Sequence, residues 1–256
     1  MGYKNDYLPT KCWVKDGILH RAFFEYDDYA DTPRNDCNLS VFVNTSRYGL
    51  CGENDEETDD LEQWIINATG INEDWYWNNR KRYGGIDALV KKFRKEKCVA
   101  FSYLSVHDHS GICLYSGYCR GWDYSAVGFA YIPKDNGEVK TYRKGHSKTE
   151  TEKWAEKNLE NEIHIMDNYV RGNVYGCVEE VYDPETESWE TENSCWNYYL
   201  DDSTTESEEK DAIEIIKEFS GNAELLDWKD VEKALGDNNL DVIFGQKLFD
   251  FMEESV

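Results

Sequence analysis

Apolar residues recur along this chain with two periods, and most of the elements follow from them. Ile18 to Tyr26, ILHRAFFEY, and Leu39 to Asn44, LSVFVN, alternate as strands do, with the polar loop DDYADTPRNDCN between them. In GGIDALVKKFRKEK the residues Ile86, Leu89, Val90 and Phe93 fall at i, i+3, i+4 and i+7, which predicts an amphipathic helix. Val99 to Val106, Ile112 to Tyr118 and Ser125 to Ile132 read as three strands separated by the turns HDHSG and CRGWD. Ser147 and Glu150 form an S-x-x-E capping box opening a long helix, whose buried side is marked by Trp154, Leu159, Ile163, Met166 and Val170 and which ends at Arg171-Gly172. A strand from Val174 to Tyr182, a DPETES turn and a last strand near Cys195 to Leu200 follow. SEEKDAIEIIKEFSG predicts a helix using Ile213, Ile216 and Phe219, with further short helices at Asp227 to Leu235 and Leu240 to Met252.

This pattern predicts an α+β fold, with a mainly antiparallel central sheet, a long packed helix and a short helical acidic C-terminal appendage. The expected division is a core domain over residues 1–202 and an acidic helical extension over 203–256. The stretch Cys98 to Pro133, three strands pinned by two acid-capped turns, is expected at the structural centre.

Composition adds rings to that core: 14% of residues are aromatic, with nine Trp and eighteen Tyr. Trp75 to Trp77, WYW, is expected on a polar connector, plugging the core from outside rather than forming an exposed contact. No apolar run approaches the roughly 18 residues of a membrane span. The N-terminus lacks a basic stretch followed by an apolar core, so the expected location is the cytoplasm. The eight cysteines contain no C-x-x-C pair and are expected as small buried hydrophobes.

Charge changes the picture more. The formal net charge is −24. ENDEETDDLE, from Glu53 to Glu62, has seven acids and no base, a run expected to resist burial and to open a helix through Leu61, Trp64 and Ile65. From Gly172 to Glu209 there are twelve acids and no Lys or Arg, and from Asp201 to Val256 seventeen acids face five lysines, a net of −12. One basic region interrupts this: Lys91, Lys92, Arg94, Lys95 and Lys97, with Arg80, Lys81 and Arg82 upstream. In so acidic a protein it is expected to neutralise the protein's own surface, and direct nucleic-acid binding is not expected.

Candidate chemistry gathers at two turns. His107, Asp108, His109 and Ser110 sit at a strand end, with Asp123 and Ser125 at the next turn, and a His beside carboxylates can act as a general base or help hold a metal. His107, His109, Cys113 and Cys119 supply four zinc-type donors, but their spacing matches no zinc motif, and capping of a hairpin explains the turn. No metal and no cofactor is therefore expected. P-loop, G-x-G-x-x-G, G-x-S-x-G and H-E-x-x-H motifs do not occur.

The phrases DHSGI (Asp108 to Ile112), GWDYSAVGFAYIPKD (Gly121 to Asp135), DNYVRGNVYG (Asp167 to Gly176) and NSCWNYYLDD (Asn193 to Asp202) resemble a family of small uncharacterised proteins carried by phages, plasmids and conjugative elements of Gram-positive bacteria. The resemblance spans Leu39 to Asp202; the acidic tail from Ser203 onward departs from it. It implies a mobile-element origin and the host bacterial cytoplasm, and it brings no catalytic residue.

The expected function is that of an acidic binding protein, not an enzyme, which inhibits a host defence or nucleic-acid-processing protein by DNA mimicry. A folded carboxylate array can compete for a site built to hold phosphates. Its partner-binding residues would be Glu185, Glu187, Glu190, Glu192, Asp201, Asp202, Glu206, Glu208 and Glu209, and its partner a basic, nucleic-acid-binding or nuclease-type host protein. The alternative is a small hydrolase or metal-dependent enzyme, with a site at Asp108, His109, Ser110 and Asp123.

Overall fold

The computed structural model describes residues 8–35, 39–45, 50, 52, 55–109, 111–200, 206–237 and 243, with side chains from residue 209 onward in the last long stretch. The chain divides into two compact units: a middle unit of residues 31–171, and a terminal unit in which residues 1–30 join residues 172–256.

In chain order, β1 (Lys11–Lys15) and β2 (Ile18–Tyr26) form a hairpin of the terminal unit. Its two-residue turn is Asp16-Gly17, both at positive φ, the conformation that matches the twist of the flanking strands. The middle unit follows: a 3-10 turn at Pro33–Asn35, β3 (Val41–Asn44), the two-residue β4 (Glu56–Glu57), and helices α1 (Leu61–Thr69), α2 (Glu73–Tyr83) and α3 (Gly85–Lys97). Then come β5 (Cys98–Asp108), β6 (Ile112–Ser116), β7 (Tyr124–Pro133), α4 (Gly137–Arg143) and α5 (Lys148–Arg171). The terminal unit resumes with β8 (Val174–Asp183), β9 (Ser188–Tyr199), α6 (Glu206–Ser220), the two-residue β10 (Leu226–Asp227) and α7 (Trp228–Gly236).

The fold is α+β, with its strands divided over two five-stranded sheets. In the middle unit the order is β4-β3-β7-β5-β6, antiparallel except for β3 with β4. Helix α5 covers one face, burying Leu159, Ile163 and Met166 against Phe42, Leu104 and Ile132. Helices α1 to α3 cover the other, with Ile65, Leu89 and Phe93 against Val43 and Phe129. The capping box forms as the sequence predicts: the Glu150 amide donates to Ser147 Oγ at 3.3 Å and the Ser147 amide to Glu150 Oε2 at 2.8 Å. Gly172, at φ 80°, ends the helix.

The polar connector expected around Trp75 is instead helix α2. Asn72 caps it by accepting from the Trp75 amide at 2.8 Å, and acids fill its first turn and bases its last, which suits the helix dipole. Only Tyr76 of the three rings is buried; Trp75 and Trp77 are 50% and 42% exposed.

The acidic run is not wholly a surface feature either. The Asp55 side chain is buried and takes both prongs of the buried Arg34 guanidinium, Nε to Oδ2 and Nη2 to Oδ1, each at 2.9 Å. Arg34 also donates to Glu162 of α5 at 3.0 Å, and Glu162 accepts from the amides of Leu39 and Ser40. The charges survive burial because each is paired and hydrogen-bonded.

In the terminal unit the order is β10-β1-β2-β8-β9, antiparallel throughout. Helix α6 buries Ala212 and Ile216 against Trp13, Phe24 and Tyr175 on one face, and α7 buries Val231 against Cys12 and Leu19 on the other. The helices of the acidic C-terminal segment are thus part of this unit's core. The helix expected at Leu240 to Met252 lies outside the described residues apart from Ile243. No helix is long and apolar enough to cross a membrane, among the described residues.

Candidate functional site

Antiparallel pairing brings the two candidate turns together. His107 of β5 lies opposite Cys113 of β6 and Tyr124 of β7, and the Asp108 amide donates to the Asp123 carbonyl at 3.2 Å. One oxygen of Asp123, Oδ2, then stands 3.9 Å from His107 Nε2 and 3.9 Å from His109 Nδ1. These are ion-pair separations, too long for hydrogen bonds. The His107 ring lies against Tyr124 with centroids 4.8 Å apart, and the His109 ring meets Trp122 edge-on at 5.9 Å.

Of the four residues of the enzymatic alternative, His109 and Asp123 meet, Asp108 is exposed beside them, and Ser110 lies outside the described residues. The place is open: the His109 side chain is 60% exposed and Trp122 is 89% exposed. A carboxylate between two imidazoles can orient a proton acceptor, yet among the described residues the turn stands open to solvent and does not enclose a reacting group. Among the described residues, no three His, Cys, Asp or Glu side chains converge to hold a metal. An apolar cavity of about 450 Å³ between α1, α3 and the sheet, walled by Leu61, Val90, Tyr103 and Phe129, was not foreseen from the sequence, and none of the four candidate residues lines it.

The carboxylates expected to bind a partner are arranged differently. Glu185, Glu187, Glu190 and Glu192 are all exposed, on the β8–β9 turn and along β9, the edge strand of its sheet. The turn is tied by Asp183, which accepts from the Glu185 amide and the Thr186 hydroxyl, each at 2.8 Å. Those hydrogen bonds, the hydroxyl's first, hold the Asp183 carboxyl below its ordinary range. Glu209 is exposed on α6, whereas Asp201, Asp202 and the side chains of Glu206 and Glu208 lie outside the described residues.

Arg21 of β2 is engaged within the unit: it pairs with Glu180 at 2.6 Å and its guanidinium lies over the Trp189 ring at 4.2 Å. His20 meets Glu179 at 3.0 Å, and at the far edge of the sheet Lys11 meets Asp227 at 2.6 Å. Burial, and then the charge of Glu180, push the Glu25 carboxyl above its ordinary range. The terminal unit holds nine Lys or Arg against twenty-nine Asp or Glu, a net of −20, and the middle unit nineteen against twenty-three, a net of −4. Almost all of the terminal unit's charge comes from its last eighty-five residues, five Lys against twenty-four Asp or Glu, while the first thirty add a net of only −1.

Compared with protein-family models, with curated proteins and with solved structures, the chain matches none of them.

Proposed function

We propose that this protein is an acidic binding protein of a mobile genetic element, which inhibits a basic host protein of the defence or nucleic-acid-processing kind by standing in for DNA. The observation that carries the reading is the display of Glu185, Glu187, Glu190 and Glu192 on the β8–β9 hairpin, in a unit of net charge −20. Duplex DNA presents one charge per roughly 1.7 Å of axis, and a protein that grips it does so largely through those charges. A folded carboxylate surface competes for the same cations without being cut or unwound. The sequence resemblance to proteins of phages and conjugative elements gives such an inhibitor its setting, the cytoplasm of a bacterial host. The Asp108, His109 and Asp123 turn supports an enzyme less well, because it is open to solvent and lies outside the cavity.

The test is a pull-down from host lysate at low and high salt, with the wild type, a Glu185→Gln, Glu187→Gln, Glu190→Gln, Glu192→Gln variant, and His109→Ala. The expected result is a basic nucleic-acid-binding protein retained at low salt, released as salt rises, lost with the four-fold variant and kept with His109→Ala. A partner held equally by the four-fold variant, or lost with His109→Ala, overturns the reading.

A further inference from the structure

Between Arg80 and Lys97, at the end of α2 and along α3, eight bases face only two acids, Asp87 and Glu96. Two of the bases are engaged: Arg80 with Glu62 at 2.7 Å, and Lys92 with Glu96. The other six, Lys81, Arg82, Lys91, Arg94, Lys95 and Lys97, are exposed and form no ion pair among the described residues. The sequence predicts that the basic region neutralises the protein's own acids; Arg80 and Lys92 do so by contact, while of these six Lys97 and Lys95 act on Glu96 only through space. Over α2 and α3 together eight bases face four acids, Glu73, Asp74, Asp87 and Glu96, in a unit whose net charge is −4, so the helix pair is locally cationic.

Its second component is aromatic. On α2 the half-exposed Trp77 lies at i, i+4 to Lys81, and the half-exposed Trp75 at i, i+7 to Arg82, so rings and cations share helix faces. On α3, Lys91, Arg94 and Lys95 fall at i, i+3 and i+4, opposite the buried Leu89, Val90 and Phe93, and Arg94 is steadied over the Phe101 ring at 5.0 Å. Cations follow a phosphate chain, and exposed rings accept unpaired bases whatever their sequence.

We infer that the α2–α3 surface of the middle unit binds single-stranded nucleic acid, with Lys81, Arg82, Lys91, Arg94 and Lys95 on the phosphates and Trp75 and Trp77 stacking on bases. This activity is independent of the acidic hairpin and of the inhibition proposed for it.

The probe is a fluorescein-labelled, mixed-sequence single strand of about 20 nucleotides and its duplex, followed by anisotropy on the full chain across a salt series. Binding is expected at low salt, tighter for the single strand, with an affinity falling on the order of tenfold or more as salt rises several-fold. Lys91→Glu, Arg94→Glu, Lys95→Glu should weaken it at least about tenfold and flatten the salt dependence. Trp75→Ala, Trp77→Ala should remove the preference for single strands and leave the salt slope unchanged. A control of equal charge change, Lys140→Glu, Arg143→Glu, Lys144→Glu on exposed positions of and beside α4, should keep binding within a few-fold. Circular dichroism confirms that each variant is folded. No anisotropy change at low salt, equal losses in the α3 and α4 variants, or a preference for duplex that ignores the tryptophans overturns the inference. So does salt-sensitive self-association in sedimentation without oligonucleotide binding, since the surface would then serve a second copy's acidic unit.

Discussion

Arg34 and Glu162 stand 128 residues apart in sequence and meet at 3.0 Å in the interior of the middle unit, where Arg34 also grips Asp55. Burial alone would make the guanidinium easier to deprotonate, but hydrogen bonds and charge from Asp55 and Glu162 outweigh it and hold Arg34 charged. Removing the cation leaves two buried carboxylates facing each other, so Arg34→Met should cost on the order of 3–5 kcal/mol, read from urea unfolding. Arg34→Lys should recover little of this, because an ammonium cannot reproduce the two-pronged contact with Asp55.

Glu62 of α1 accepts from Arg80 at 2.7 Å and from the Tyr76 hydroxyl. The hydrogen bond from Arg80 is the main reason its carboxyl lies below the ordinary glutamate range; burial opposes it, and Tyr76 adds to it. Burial and Glu62 together push the Tyr76 hydroxyl up to about 12, so it stays a donor at neutral pH. A depressed folded pKa means the unfolded chain binds the proton more readily. The stabilisation is therefore complete above the ordinary glutamate range and is lost as pH falls through the folded value. Glu62→Gln should lower the melting temperature at neutral pH and remove part of its decline on acidification, measured from roughly pH 7 to pH 3. A variant whose acid limb parallels the wild type would show that Glu62 contributes nothing to it.

His109→Ala and Asp123→Asn test the turn that the sequence singled out. His109 is 60% exposed and meets the 15% exposed Asp123 only at 3.9 Å, beyond hydrogen-bond range, so each change should alter the unfolding free energy by less than about 0.5 kcal/mol. A cost several times larger would mean that the two imidazoles and the carboxylate hold the β5 and β7 ends together.

How far the sequence reached depends on where each element gets its stability. Helix α3, β2 and the capped start of α5 were legible because a local apolar period or capping box specifies them. Helix α2 was not, since it buries one ring and owes its ends to Asn72, Glu73 and Asp74 at one side and Arg80 to Arg82 at the other. The strand β1 was missed although Asp16-Gly17 is a hairpin signature, because KCWVK is short and part of the cluster that buries its Trp13 comes from distant β8 and α6. Strand β9 begins at Ser188, well before the predicted Cys195, since an edge strand exposed on both faces from Glu190 to Asn197 carries no alternation. Arg34 and Asp55 read as loop residues because Glu162, which completes their burial, is remote in sequence. The histidine turn and the acid runs were visible because their residues are adjacent; that the first thirty residues share a unit with the acidic C-terminal segment was not, because β1 and β2 reach β8 and β10 only through long-range pairing.

Thiol reactivity follows from burial. Burial first of all pushes the thiols of Cys98 and Cys177 up to about 12, leaving roughly one thiolate in 10⁵ at neutral pH, whereas Cys195, opposite Cys177 on β9, is exposed. Iodoacetamide on the native protein should label Cys195, while Cys98 and Cys177 should react only after unfolding, as mass spectrometry of the digest would register. Labelling of Cys177 at the rate of Cys195 would mean that the β8–β9 pair opens readily.

Two glycines separate backbone crowding from side-chain crowding. A Cβ on Gly128 of β7 would lie 2.1 Å from the Val43 carbonyl oxygen and 2.7 Å from Asn44 Cα, both backbone atoms of the neighbouring strand β3. A Cβ on Gly176 of β8 would lie 2.2 Å from the ring of Trp196, a side chain 39% exposed on the edge strand. Ring rotation can relieve the second clash, while the first is relieved only by parting β3 from β7. Overpacking costs about 1–3 kcal/mol, and Gly128→Ala should fall at or above the top of that range with Gly176→Ala near the bottom. Urea unfolding of both variants decides it, and near-equal losses would mean that Trp196 is held as firmly as a strand backbone.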